Sequence, residues 1–101
     1  MNFIEVSKQF RRLYGKSYRI VDIKESNFLP VLSSILVCFI VKTEKEKDIF
    51  LNKFYKKCCS EYLDFIKENN YYYSDCNYEF MVLSKEEIKN KYDGVYHYAM
   101  H

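Results

Sequence analysis

The sequence predicts an α+β domain: a three- to four-stranded, mainly antiparallel sheet packed by one long and one or two short helices, in the order α-β-β-α-β-α. Three observations carry this expectation. Ile35–Val41 (Ile-Leu-Val-Cys-Phe-Ile-Val) is an uncharged run, rich in β-branched and aromatic side chains and without strict alternation. That is the pattern of a strand covered on both faces, and burying its large apolar side chains contributes at most roughly 10–15 kcal/mol. Thr43-Glu44-Lys45-Glu46 has the form of a capping box and opens a long amphipathic stretch. Only two glycines and one proline interrupt the 101 residues, so the elements should be long and the tight turns few.

The elements follow in order. Phe3, Val6, Phe10, Leu13 and Tyr14 recur at three- and four-residue steps and predict a helix over about Phe3–Tyr14, capped by Asn2 with Glu5. Gly15 is expected to stop it in the left-handed conformation. Tyr18–Lys24 reads as a strand, with Asp22, Lys24 and Glu25 marking an edge. Ser26 to Pro30 connects it to Ile35–Val41 as an antiparallel hairpin, with Phe28 and Leu29 folded back on the core. The long helix runs over about Glu44–Asn69, with Phe50, Leu51, Phe54, Tyr55, Cys58, Tyr62, Phe65 and Ile66 on one face. At 1.5 Å per residue it measures about 39 Å, against about 34 Å for a compact domain of this size. It must therefore overhang the domain or break near Cys59–Ser60. Tyr78–Leu83 is the third strand, and a helical excursion from Ile35–Val41 allows it to lie parallel to that strand. Ser84 with Glu87 is another capping box, opening a short helix to about Tyr92. Asp93-Gly94 is a turn, and Val95–Met100 is a last edge strand or an irregular tail. The order loosely resembles a ferredoxin-like β-α-β-β-α-β domain without its first strand, a likeness of element order that implies nothing about function.

Length and composition indicate one globular domain with a core large enough to need no metal or disulfide. Cys38, Cys58, Cys59 and Cys76 form no C-x-x-C pair and read as reduced thiols of a cytoplasmic protein. The N-terminus lacks a signal-peptide pattern, and no apolar run is long enough to span a bilayer. With glycine only at positions 15 and 94, no phosphate-binding loop can be built. The only histidines, His97 and His101, lie in the C-terminal tail; no spacing pairs Cys76 with His97 as a nucleophile, and a zinc site drawn from them and Cys58, Cys59 and Cys76 has only the i,i+4 spacing of the two histidines in its favour, at a terminus that favours fraying. No carboxylate pair stands out among Asp22, Asp75, Glu79 and Asp93. The expectation is a protein with no catalytic residues, cofactor or metal.

Two surfaces remain. Residues 1–19 hold Lys8, Arg11, Arg12, Lys16 and Arg19 against Glu5 alone, a basic face that suits phosphates. The net charge of +2 argues against a dedicated nucleic-acid binder. The stronger anomaly is aromatic: Tyr71, Tyr72, Tyr73 and Tyr78 sit in a polar stretch with Asp75 and Glu79, and Tyr96 and Tyr98 follow. Tyrosine offers large contact area at low rotamer cost, so these rings with an acidic rim are expected to form a protein-binding surface. Richness in Lys, Asn, Ile and Tyr looks like the product of an AT-rich genome. In type, the chain resembles the small inhibitors by which phages and mobile elements block host machines, including anti-CRISPR proteins. That resemblance implies steric blocking of a larger protein or ribonucleoprotein, a defence nuclease above all. The alternatives are a small nucleic-acid-binding protein or an immunity or antitoxin protein. The long helix also offers a surface for a homodimer, and no membrane contact is expected.

Overall fold

A computed structural model describes residues 3–27, 34–74 and 76–91. They form helix α1 (Phe3–Tyr18), strands β1 (Ile20–Asn27) and β2 (Ser34–Val41), a long helix α2 over residues 44–68, strand β3 (Asn77–Ser84) and helix α3 (Lys85–Lys91). The expected order holds, and β1 and β2 pair antiparallel as the hairpin required. The strand order is β1-β2-β3, with β3 parallel to β2 from Ser34–Asn77 to Val41–Ser84. The sheet is thus mixed rather than mainly antiparallel, and it has three strands among the described residues. The reason is the crossover: α2 carries the chain back along β2, so β3 starts where β2 starts. In a split β-α-β unit another strand lies between two such parallel strands; here β2 and β3 bond to each other directly. The suggested strand at Val95–Met100, the tucked Phe28 and Leu29, the Asn2 cap and the Asp93-Gly94 turn lie outside the described residues.

The central strand is covered on both sides. Ile35, Val37, Phe39 and Val41 face a core with Val6 and Phe10 of α1 and Phe50, Cys58, Tyr62 and Ile66 of α2. Phe39 stacks on Phe80 at 5.7 Å between ring centroids and meets Tyr62 edge-on at the same distance, and Phe10 meets Tyr62 edge-on at 5.2 Å. Cys38 and Ile40 face the other way, onto Leu83 and Ile88.

Three local expectations are corrected. First, α1 runs through Gly15 to Tyr18, and Arg19 takes the left-handed conformation instead (φ 60°). Gly15 serves close approach: a Cβ there would lie 3.0 Å from the carbonyl oxygen of Ile20, where β1 folds back against the helix. Tyr18, expected in the strand, ends the helix as a buried residue, whereas Leu13, expected in the core, is 65% exposed. Second, the break near Cys59–Ser60, offered as the alternative to an overhang, is absent, and the long helix instead changes winding at Phe50–Phe54, a π-helical turn between Glu44–Ile49 and Tyr55–Glu68. Phe50, Cys58, Tyr62 and Ile66 are all buried at multiples of four residues. In an α-helix of 3.6 residues per turn such positions drift round the axis, and the wider π turn takes back part of that drift. Third, Leu51 lies off the apolar face and is 46% exposed. The capping boxes form largely as read. Thr43 accepts from the Glu46 N–H at 3.1 Å, and Ser84 and Glu87 cap each other reciprocally at 3.0 and 3.1 Å. Among the described residues no helix is long and apolar enough to cross a membrane.

Candidate interaction surface

The tyrosine run begins where α2 stops. Asn70 adopts a positive φ of 62°, which asparagine tolerates better than most residues. The Tyr71 N–H reaches back to the Ile66 carbonyl at 2.8 Å and the Asn70 N–H to the Lys67 carbonyl at 3.1 Å. These two bonds are the Schellman pattern, which satisfies the last carbonyls of the helix and sets the exit direction of the chain. Tyr71 is thereby turned onto the main core, and Tyr78, the second residue of β3, packs there too. The Tyr78 hydroxyl accepts the Tyr73 N–H at 2.9 Å and donates to the Tyr71 carbonyl at 3.5 Å. Burial pushes the Tyr78 hydroxyl above its ordinary pKa, so it stays a neutral donor at physiological pH.

On this base stand two exposed rings. Tyr72 is 38% exposed, and its ring stacks on Tyr78 at 5.2 Å and 14°, with the Lys67 ammonium 4.6 Å from its centroid. Tyr73 is 51% exposed. The structure thus separates the expected group: Tyr71 and Tyr78 support, and Tyr72 and Tyr73 are presented. Glu79 does not join them. Alternation along β3 puts it on the sheet face of Met81 and Leu83, opposite Tyr78 and Phe80. Asp75, Tyr96 and Tyr98 lie outside the described residues. Lys67 is the neighbour that sequence reasoning missed; its place in the last helical turn before the tyrosines was the available signal.

Beside this end, α1 and α2 leave a groove lined by Tyr14, Glu61, Asp64, Phe65 and Glu68. Glu61, on the wall of this groove, accepts the Tyr18 hydroxyl at 2.6 Å; burial first, and then that bond, raise the tyrosine's pKa.

The basic residues lie elsewhere. Lys8, Arg11, Arg12 and Lys16 are exposed on α1, and Arg19 is exposed just after it. Arg11 donates to the Val21 carbonyl at 3.3 Å and Arg19 pairs with Glu46 at 3.2 Å. Lys42, absent from the sequence-based set, lines one hollow with Lys16 and Arg19. The hairpin register contained that signal, because pairing Ile20 with Val41 puts Arg19 beside Lys42. This corner lies at the end of β2 and the tyrosines at its start, so the tyrosines are not placed to stack bases held by these cations.

All four cysteines are free. Burial pushes the Cys38 thiol up to about 12 and Cys59 to about 11, and raises Cys58 as well, so these thiols stay protonated at neutral pH and are weak nucleophiles. Among the described residues no three His, Cys, Asp or Glu side chains are grouped to hold a metal ion. His97 and His101 lie outside those residues. No family model, curated protein or solved structure matches the chain.

Proposed function

We propose that this protein is a non-enzymatic binding module that seats a larger protein on Tyr72 and Tyr73 and acts by occupying that partner's surface. The supporting observation is the pair of exposed rings on a fixed base. Tyr72 is braced by Tyr78 and Lys67, and the Tyr73 backbone is held by the Tyr78 hydroxyl. Rings already ordered before contact lose little further freedom on binding, which makes aromatic area effective as an anchor. Steric blocking of a host defence nuclease is the form of this reading that the chain's size and composition favour.

The test separates support from contact. Tyr78→Ala would remove a core contact and the hydroxyl that holds the loop, so it confounds folding with binding. Tyr72→Ala combined with Tyr73→Ala changes exposed rings only. Wild-type and doubly substituted protein are used as bait in lysate of the source host, and the captured protein is purified for titration. Affinity for that protein should fall at least about a hundredfold in the double variant with circular dichroism unchanged. Equal capture by both baits would refute the reading.

A further inference from the structure

The basic stripe of α1 does not end with the helix. Lys8, Arg12 and Lys16 are exposed at successive four-residue steps, about 6 Å apart along the axis. Lys16 then opens on a hollow whose rim also carries Arg19 and Lys42, over a floor of Gly15, Ile20 and Val21. Among the described residues one carboxylate, Glu46, shares this hollow, and it is engaged by Arg19. Positive charge therefore converges on one corner of a chain whose net charge is only +2.

A second observation concerns the backbone. Arg19 holds a positive φ of 60° at the turn from α1 to β1, a place where glycine or asparagine is the comfortable choice. An L-residue there is strained, and the exposed ion pair with Glu46 offsets only part of that strain. That conformation ends α1 as Asn70 ends α2, with the Arg19 N–H reaching the Lys16 carbonyl at 3.4 Å, and it leaves Arg19 on the rim of the hollow.

We infer that this corner, with the α1 stripe leading into it, binds the phosphate backbone of a single-stranded nucleic acid. Cations repeating at a constant rise while drifting part-way round α1 suit a polymer with one negative charge per unit that can follow that path, whereas a folded acidic protein presents charges without such a period. The apolar floor gives a sugar or base somewhere to rest. This inference is independent of the tyrosine surface, which lies at the other end of β2.

Fluorescence anisotropy with a labelled single strand of about 16 nucleotides tests it. With about four phosphates engaged, affinity should fall about fiftyfold between about 50 and 200 mM salt. Lys42→Ala should flatten the slope of log affinity against log salt by about 0.7. Arg19→Gly should weaken binding about fivefold while the melting temperature stays the same or rises, since glycine relieves the backbone. The Tyr72→Ala, Tyr73→Ala variant should bind the strand as wild type does. No binding at the lowest salt, an unchanged slope in Lys42→Ala, loss of binding in the tyrosine variant, or displacement of the strand by polyglutamate as readily as by unlabelled nucleic acid would each overturn the inference.

Discussion

The two faces of β2 are built from neighbouring residues of one uninterrupted apolar run, yet they are different environments. Toward α1 and α2, Val37, Phe39 and Val41 are fully buried among rings from both helices and β3. On the opposite face Cys38 and Ile40 are buried almost as completely, at 0% and 3% exposure. Among the described residues their cover is thinner: Leu83 and Ile88 are buried with them, while Val21, Leu36 and Met81 are only half-buried. Among the described residues, α3 is the only helix that adds an apolar side chain there, through Ile88. Loss of solvent contact is the same on both sides, but the number of packing partners among the described residues is not, and the better-filled face should also be the more rigid. Stability should follow the partners.

Paired truncations on the two faces test this directly. Phe39→Ala empties the site where Phe80, Tyr62 and Phe50 converge and should cost about 4 kcal/mol. Ile40→Ala, one residue on, should cost about 2 kcal/mol, because the thinner layer can collapse into the space. Urea unfolding of both variants measures the difference. Equal losses would break the comparison and mean that the second face is as tightly packed as the first.

Much of this architecture was legible from local pattern. The lack of alternation in Ile35–Val41 announced two covered faces, and the capping residues Thr43 and Ser84 marked where helices begin. Features set by long-range packing were not legible. Sequence spacing puts Leu51 on the apolar face of α2, but the π turn rotates the following residues and leaves it exposed. Gly15 looks like a helix stop, because nothing local reveals that the chain returns over it. The tyrosine anomaly was visible as composition. Which rings are presented depends on the Schellman turn at Asn70 and on alternation along β3, which also removes Glu79 from the group. The basic corner needed the hairpin register, since Lys42 meets Arg19 only through strand pairing.

Gly15 sharpens the comparison from the helix side. An alanine in an exposed helix interior is usually better than glycine by about 1 kcal/mol. Here the added methyl would lie 3.0 Å from the Ile20 carbonyl oxygen, a backbone atom that cannot swing away. Gly15→Ala must therefore lift α1 from the ring-rich face, and a net loss of about 1–2 kcal/mol is expected despite the gain in helix propensity. Thermal unfolding reads the sign. A stabilised variant would show that α1 is held loosely enough to shift, which removes the rigidity claimed for that face.

The smallest effect lies at a polar flaw in the same face. Glu25 points from β1 toward Ser7 and Tyr62, whose side-chain oxygens are hydrogen-bonded at 2.8 Å, and its Oε1 is buried without a hydrogen-bond partner among the described residues. Burial raises its pKa, and Ser7 moderates the shift only in part. A carboxyl whose pKa rises on folding holds more protons in the native chain than in the unfolded one. Stability then falls as pH climbs from the ordinary carboxylate value of about 4.3 through the raised folded value. Glu25→Gln keeps the shape and removes the charge, so the variant should gain about 1 kcal/mol at pH 7 and match wild type where the carboxyl is protonated. Melting temperatures of the two proteins across that range should converge on the acid side and separate toward neutrality. Parallel curves would mean that Glu25 is solvated in both states, and that the ring-rich face seals less tightly at its β1 edge than the exposures of Val37 and Phe39 imply.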